Sequence, residues 1–467
     1  VSAALKDQSQ QHLHAGLTRR QISMMGLGGA IGAGLFVGSG QAISIAGPAV
    51  LVSYLLAGTV IIVIMAMLAE MVAANPSSGA FSTFAHKAMG RSAGSTLGWL
   101  YWIQLVVVVA AEATGAAAIV AGWFPSVPQW GWVLLFVIAL SGANLLGVRN
   151  YGRFEYWFAV IKVAAIIAFL VLGALVLSYI IPTDQPVGLG NLAAHGGFAP
   201  GGMAGIAAAV LIVIFSFGGT EVVAIAAAES NNPADNIKRV VRSVMARILV
   251  FYLGSILVIV AVVPWNDPAI VTGPFAAVLS VLNVPGVEVV MNAVVVIALL
   301  SAMNANIYGS SRMLYSLGKR KLAPVAVTHV TGKGVPAKAV ISSVAFSFLA
   351  VGLNWIWPEK VMPILLNVVG STIIVIWSFI AVTQYILRRR ADRNGEHLPV
   401  RLWGFPYLSI ATMVVLAGII GVSMTDAAAR TQLLLTAGLT AVIWIVSKIA
   451  LRNVPEVIDV EHVDEVA

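Results

Sequence analysis

Long apolar runs separated by short polar joints cover nearly all of the chain beyond residue 21. A bilayer crossing needs roughly 20 apolar residues in helical form. Twelve runs meet that need, at about 22–44, 48–73, 96–121, 130–148, 156–180, 203–229, 244–264, 287–314, 338–356, 361–386, 404–424 and 432–450. Basic residues alternate between the joints. With both ends on the inner side, Arg19, Arg20, Lys87, Arg91, Arg149, Arg153, Lys238, Arg239, Arg242, Lys319, Arg320, Lys321, Arg388 to Arg390, Arg393, Arg401 and Arg452 all lie inside. The outer joints hold only Lys360 and Arg430 of the 27 Lys and Arg. This is the positive-inside pattern. It supports the count, because a missed or extra helix would scramble the alternation.

Composition sharpens the class. Of 467 residues, 59% are hydrophobic and 10% charged, against about 25% charged in soluble domains. The reading is an all-α polytopic membrane protein with membrane lipid as its surroundings. The net charge of +8 is distributed by loop and gives no reason to expect nucleic acid. Absence of cysteine excludes disulfides and thiolate chemistry. No cleavable signal peptide is expected, and residues 1–18 read as a polar cytosolic tail. Residues 453–467 read as an acidic cytosolic tail. Between them lie a core of ten helices over 19–390 and two further helices over 391–452. The outer joints carry Pro125, Pro128, Pro182, Pro186, Pro264, Pro268 and Pro274, expected as turns. Trp123, Trp130 and Trp265 stand near helix ends as an aromatic belt.

The first span is unusual. Gly26-Leu27-Gly28-Gly29-Ala30-Ile31-Gly32-Ala33-Gly34-Leu35-Phe36 holds five glycines in eleven residues. Glycine costs about 1 kcal/mol against alanine inside a helix. Small residues also let membrane helices pack closely, but this density favours a helix that is broken. Backbone can leave helical geometry at membrane depth only where it is buried in protein or lines a wet cavity. There its free N–H groups hold a ligand, and a half-helix N-terminus favours a carboxylate. The sixth span carries a second break, Ile214-Phe215-Ser216-Phe217-Gly218-Gly219-Thr220-Glu221. If spans 1–5 repeat as 6–10, the odd number inverts the second copy. Paired breaks then place a site near the bilayer midplane, between repeats at about 19–180 and 203–390.

Ionisable residues inside spans are costly and are functional candidates by default. Lys162 in the fifth span either snorkels to the inner interface or holds a fixed or exchangeable positive charge; the second is favoured. A desolvated lysine loses its proton readily, which suits proton coupling. Glu112 lies deep in the third span, as a proton carrier or as a partner for a lysine or a free backbone amide. Glu221 follows the sixth-span break and reads as a cap for free amides or a proton site. Glu70 and Glu229 sit near helix ends as gating or anchoring groups. Gln104, Thr114, Asn304, Asn306, Ser310, Asn367, Ser371 and Thr372 could line a pocket or path, or could bond between helices.

Other chemistry finds little support. No Cys/His cluster suggests a metal, and no cofactor is expected. The G-x-G pattern follows no strand and has no acidic ribose partner, so a dinucleotide reading fails. No Walker-type loop is present, and no catalytic arrangement points to an enzyme.

Ordered motifs run from about Gly16 to the twelfth span. They include Leu17-Thr18-Arg19-Arg20-Gln21 leading into Gly28 to Phe36, Ala46-Gly47-Pro48-Ala49, Leu68-Ala69-Glu70-Met71 and Ser78-Gly79-Ala80-Phe81-Ser82. Gly98-Trp99-Leu100-Tyr101-Trp102, Phe154-Glu155-Tyr156-Trp157-Phe158 with Lys162, Phe215 to Glu221, Ala228-Glu229-Ser230 and Ser311-Arg312-Met313-Leu314 follow. In these the chain resembles bacterial amino-acid permeases of the amino acid–polyamine–organocation superfamily. The resemblance implies a LeuT-type fold with two inverted five-helix repeats, and proton-coupled import of an amino acid across the bacterial inner membrane by alternating access. It implies that Ala30, Gly32 and Ala33, with Gly34 nearby, hold the substrate α-carboxylate. Phe215, Ser216 and Gly218 would meet its amino group. Glu112, Asn304 and Asn367 complete the expected substrate site. Lys162, Glu112 and Glu221 are the expected proton-coupling groups.

Two sets of segments point to different substrates. Gly219-Thr220-Glu221-Val222-Val223-Ala224-Ile225 and Val263-Pro264-Trp265-Asn266 are similar to γ-aminobutyrate permeases. Ala111-Glu112-Ala113-Thr114-Gly115-Ala116-Ala117 and Asn367-Val368-Val369-Gly370 resemble aromatic amino-acid permeases. The expectation leans to γ-aminobutyrate or another small neutral amino acid, with an aromatic substrate as alternative. A channel or a transport-like nutrient sensor are the readings from other classes. The sequence leaves the oligomeric state open.

Overall fold

The computed structural model describes residues 31–76, 80–145, 148–221, 233–282, 285–332 and 334–452. Every regular element among them is helical. The first span enters at a bend over Ile31 and Gly32, passes through a π-helical turn Gly34–Gly38 and continues as α1 (Ser39–Ala46). Gly47 then adopts a positive φ of 61°, which glycine accepts without steric cost. The chain reverses there into α2 (Val50–Ala74). The remaining spans are α4 (Arg91–Trp123), α5 (Gln129–Leu145), α6 (Val148–Leu177), α7 (Gly202–Phe217) and α8 (Pro233–Val262), separated from α2 by α3 (Ala80–Met89). Two outer helices, α9 (Pro268–Thr272) and α10 (Pro274–Ser280), precede α11 (Val287–Lys319). The ninth span is interrupted at Phe346 into α12 (Ala337–Ala345) and α13 (Ser347–Ile356). Then follow α14 (Pro358–Asn394), α15 (Tyr407–Ser423) and α16 (Ala427–Ala450).

Among the described residues, seven helical stretches are long and apolar enough to cross a membrane, and four shorter ones are apolar. The first of the seven, Gly34–Ala74, contains both α1 and α2, so the eleven stretches accommodate all twelve runs. Three expectations change. The Pro-rich joint after α8 forms helices rather than simple turns, because Pro268 and Pro274 stand at the first helical position, where a missing N–H costs nothing. The tenth span extends beyond the expected 361–386 to Pro358–Asn394, 37 residues against 33 each for α4 and α11. Its basic end, Arg388 to Arg390, continues the helix beyond the apolar region, since arginine is a good helix former. Finally, α3 is an additional helix that lies against α4 and α14. Its C-terminal carbonyls at Lys87 and Ala88 accept hydrogen bonds from Arg390.

Helices α4 and α11 pack along each other at the centre of the molecule. Glycine sets how closely other elements approach. A side chain at Gly370 of α14 would overlap the Leu211 carbonyl of α7, and one at Gly40 would overlap the Ile270 carbonyl of α9. Interhelical polar bonds add to this packing: Thr114 to Asn354, Trp102 to Ser343, and Ser371 to Thr436.

One charged cluster ties three elements together at the basic end of α14. Glu70 of α2 is 2% exposed. It pairs with Arg388 at 2.8 Å and accepts from Gln384 at 2.9 Å and from the backbone N–H of Leu402. Ser409 of α15 donates to Gln384. Arg388 also reaches Asp392 and lies over the Phe405 ring. Breaking a buried pair from one side strands the other charge, at a cost of about 3 kcal/mol or more. Arg388→Ala is therefore expected to lower the thermal unfolding temperature of the detergent-solubilised protein markedly. The double substitution Glu70→Gln with Arg388→Leu is expected to recover most of that loss.

Candidate functional site

The site is built from the two broken spans. Before Gly34 the first span has no preceding helical turn among the described residues, so the N–H of Ala33 needs another acceptor. It donates to both carboxylate oxygens of Glu112, at 2.9 and 3.1 Å. Glu112 projects from the middle of α4 and is 3% exposed. A carboxylate at a helix N-terminus is held by the free amide and by the positive end of the helix dipole. Gly32 is required beside it. A Cβ there would overlap the Glu112 carboxylate and come within 2.8 Å of Ala302 on α11.

The second break touches the first. Helix α7 ends at Phe217, Gly218 is extended, and Gly219 takes a φ of 90°. The Ser216 hydroxyl donates to the Gly34 carbonyl at 2.7 Å. A Cβ on Gly34 would collide with the Ser216 backbone. Tyr252 of α8 donates to the Ser216 carbonyl at 2.8 Å, and Tyr54 of α2 stands 3.3 Å from the Ser216 hydroxyl. The Phe215 carbonyl accepts the Gly218 N–H. Glu221 turns back on the break and accepts from the Gly219 N–H at 3.0 Å and from the Trp377 indole of α14 at 2.6 Å. Each break thus has a glutamate at its freed amide.

The expected site residues divide as follows. Gly32, Ala33, Gly34, Phe215, Ser216, Gly218 and Glu112 come together at the meeting of the breaks. Glu221 sits at the second break, in the geometry of an amide cap. Lys162 of α6 is fully buried, which removes the snorkelling reading. Asn304 faces α5, where its carbonyl oxygen accepts from Asn144 at 2.6 Å. Asn367 is half-buried and donates to the Pro363 carbonyl of its own helix. Interhelical or intrahelical bonding therefore describes both amides as observed. Ala30, the glycines from Gly26 to Gly29, and Glu229 lie outside the described residues. Sequence reasoning missed Tyr54, Tyr252 and Trp377. Their hydroxyl and indole groups complete the breaks, but from sequence a lone aromatic in a span reads as core. Among the described residues no group of three or more His, Asp or Glu could hold a metal.

Comparison with known proteins agrees with this architecture. The model of the family described as amino acid permease matches residues 21–459. This chain belongs to the amino acid permease family. It is an all-α, multi-pass membrane protein of LeuT-type fold, in a family of amino-acid transporters. The permease is 46% identical to the aromatic amino acid transport protein AroP of Corynebacterium glutamicum, covering 91% of this chain and 92% of that protein. It is 43% identical to the γ-aminobutyric acid permease of Bacillus subtilis, covering 94% of each. The γ-aminobutyric acid permease of Escherichia coli is 44% identical over 86% of each.

The geometry makes opposite demands of the two glycines. Gly32→Ala is expected to fold, because its closest clash is with the end of the flexible Glu112 side chain and its second with the Ala302 methyl group, neither of them backbone, but to push Glu112 off Ala33 and weaken substrate binding at least tenfold. Gly34→Ala meets backbone, and the expected result is loss of a monodisperse size-exclusion peak. Normal substrate affinity in Gly32→Ala would mean that the glycines serve packing alone.

Proposed function

We propose that this permease imports a zwitterionic amino acid together with a proton, by alternating access across the bacterial inner membrane, with both termini cytoplasmic. One observation carries the reading: the helix-end amide at Ala33 is a carboxylate site, and a carboxylate of the protein itself occupies it. A substrate carboxylate and the Glu112 carboxylate compete for the same N–H. When Glu112 takes up a proton it becomes a weaker acceptor and releases Ala33. The substrate carboxylate then takes its place. Proton and substrate binding thereby favour each other, which is the linkage a symporter needs. Lys162, fully buried on α6, supplies the fixed or exchangeable positive charge of the coupling scheme. Glu221 stays at its amide as a cap.

The preferred substrate is γ-aminobutyrate or another small neutral amino acid. The names of the Bacillus and Escherichia relatives support it. An aromatic amino acid is the second reading, favoured by the name of the Corynebacterium relative.

Uptake of labelled γ-aminobutyrate into proteoliposomes under an imposed inward proton gradient tests the proposal, with phenylalanine, tyrosine, tryptophan and proline as competitors. The expected result is saturable, gradient-dependent accumulation that the aromatics do not suppress. Accumulation of labelled phenylalanine instead would select the second reading. Binding without flux would indicate a sensor, and flux that does not saturate a channel. Lys162→Ala is expected to abolish uphill accumulation while retaining substrate binding. Undiminished accumulation in that variant would remove Lys162 from coupling.

A further inference from the structure

Helix α4 carries a second polar group that the transport scheme above does not use. Gln104 is 1% exposed, and neither its Oε1 nor its Nε2 has a hydrogen-bond partner in the structure. The other buried carboxamides among the described residues, Asn144, Asn304, Asn306, Asn354 and Gln384, each make at least one such bond. One turn earlier on the same face of α4, Tyr101 is 0% exposed, and its hydroxyl also lacks a partner. Residues three apart on a helix are neighbours on its surface. Polar groups left unpaired in a membrane interior are costly, so a side chain kept there without a bond points to a ligand that completes it.

The position of Gln104 says which end of a ligand that is. A methyl group built on Gly218 would stand 3.6 Å from Gln104 Nε2 and 3.1 Å from the Phe215 carbonyl. The carboxamide therefore borders the α7 break at the C-terminal end of that helix, where the dipole favours a cation. Glu112, at the carboxylate end of the site, lies eight residues further along α4, and the two breaks meet where Ser216 donates to the Gly34 carbonyl. The site thus has an anion-binding end and a cation-favouring end, spaced along one helix. An α-amino acid carries its two charges on neighbouring atoms. A γ-amino acid separates them by a three-carbon chain.

We propose that Gln104, assisted by Tyr101, is a specificity-determining residue of this permease: its carboxamide oxygen accepts a hydrogen bond from the ammonium of a γ-amino acid at the α7 break. This rests on the reading that the substrate carboxylate takes the Ala33 amide. With the carboxamide present, an aromatic ring directed at this point would leave both amide ends unpaired. With an apolar residue there, the ring would meet a matching wall.

The test is competition binding on the purified full-length protein, with labelled γ-aminobutyrate as probe and phenylalanine as competitor. Gln104→Leu is expected to weaken γ-aminobutyrate binding at least tenfold and to strengthen phenylalanine competition, with thermal stability kept or raised. Gln104→Glu, which keeps an acceptor, is expected to retain γ-aminobutyrate binding. Tyr101→Phe is expected to show a smaller loss of the same sign. Should the leucine variant not fold, Gln104→Met carries the same measurement. An unchanged ratio of the two affinities would overturn the proposal, as it would if the carboxamide only held water. So would failure of the wild-type protein to bind γ-aminobutyrate. Gly32→Ala separates the two ideas. Normal binding there defeats the underlying site reading, whereas lost binding there with an unchanged ratio in Gln104→Leu defeats only the role of Gln104.

Discussion

A broken helix in lipid has free amides and carbonyls that water cannot reach, and this fold is arranged around supplying them with partners. Ala33 receives Glu112 from α4, Gly219 receives Glu221, the Gly34 carbonyl receives the Ser216 hydroxyl, and the Ser216 carbonyl receives Tyr252 from α8. These partners come from three different helices and from the second break itself. The breaks therefore cannot form until α4, α7 and α8 are assembled, and the assembled bundle in turn holds the unwound backbone in place.

That constraint explains why so few charged residues lie inside the bundle and why they lie where they do. Glu112 and Glu221 each stand at a freed amide. Lys162 is fully buried. Glu70 and Arg388 form a separate pair that closes the basic end of α14 onto α2 and the segment leading to α15. The two glutamates at the breaks satisfy freed amides, whereas the Glu70–Arg388 pair fixes the frame.

Two glycines of the first break differ in what they make room for. At Gly32 the missing side chain leaves room for another residue's carboxylate. At Gly34 it leaves room for another helix's backbone. Identical residues two positions apart therefore make room for a side chain and for a backbone respectively.

The apolar runs and the loop charges determined the helices and their count, because lipid imposes one period and one length on every span, and the ordered motifs determined the family. Glycine density marked both breaks for the same reason: little else explains such a cost in a membrane helix. Buried charges at Lys162 and Glu112 were legible as candidates, since each is expensive where it stands. Tertiary structure alone decided their partners. It gave the Ala33 amide to Glu112, turned Asn304 to Asn144 and Asn367 onto its own helix, and brought Tyr252 and Trp377 to the breaks. It also left Gln104 without a bond. A polar residue in a span looks alike in sequence whether it faces a neighbouring helix, its own backbone or a ligand. Which of these it meets depends on helix rotation and on contacts hundreds of residues away, and local pattern carries neither.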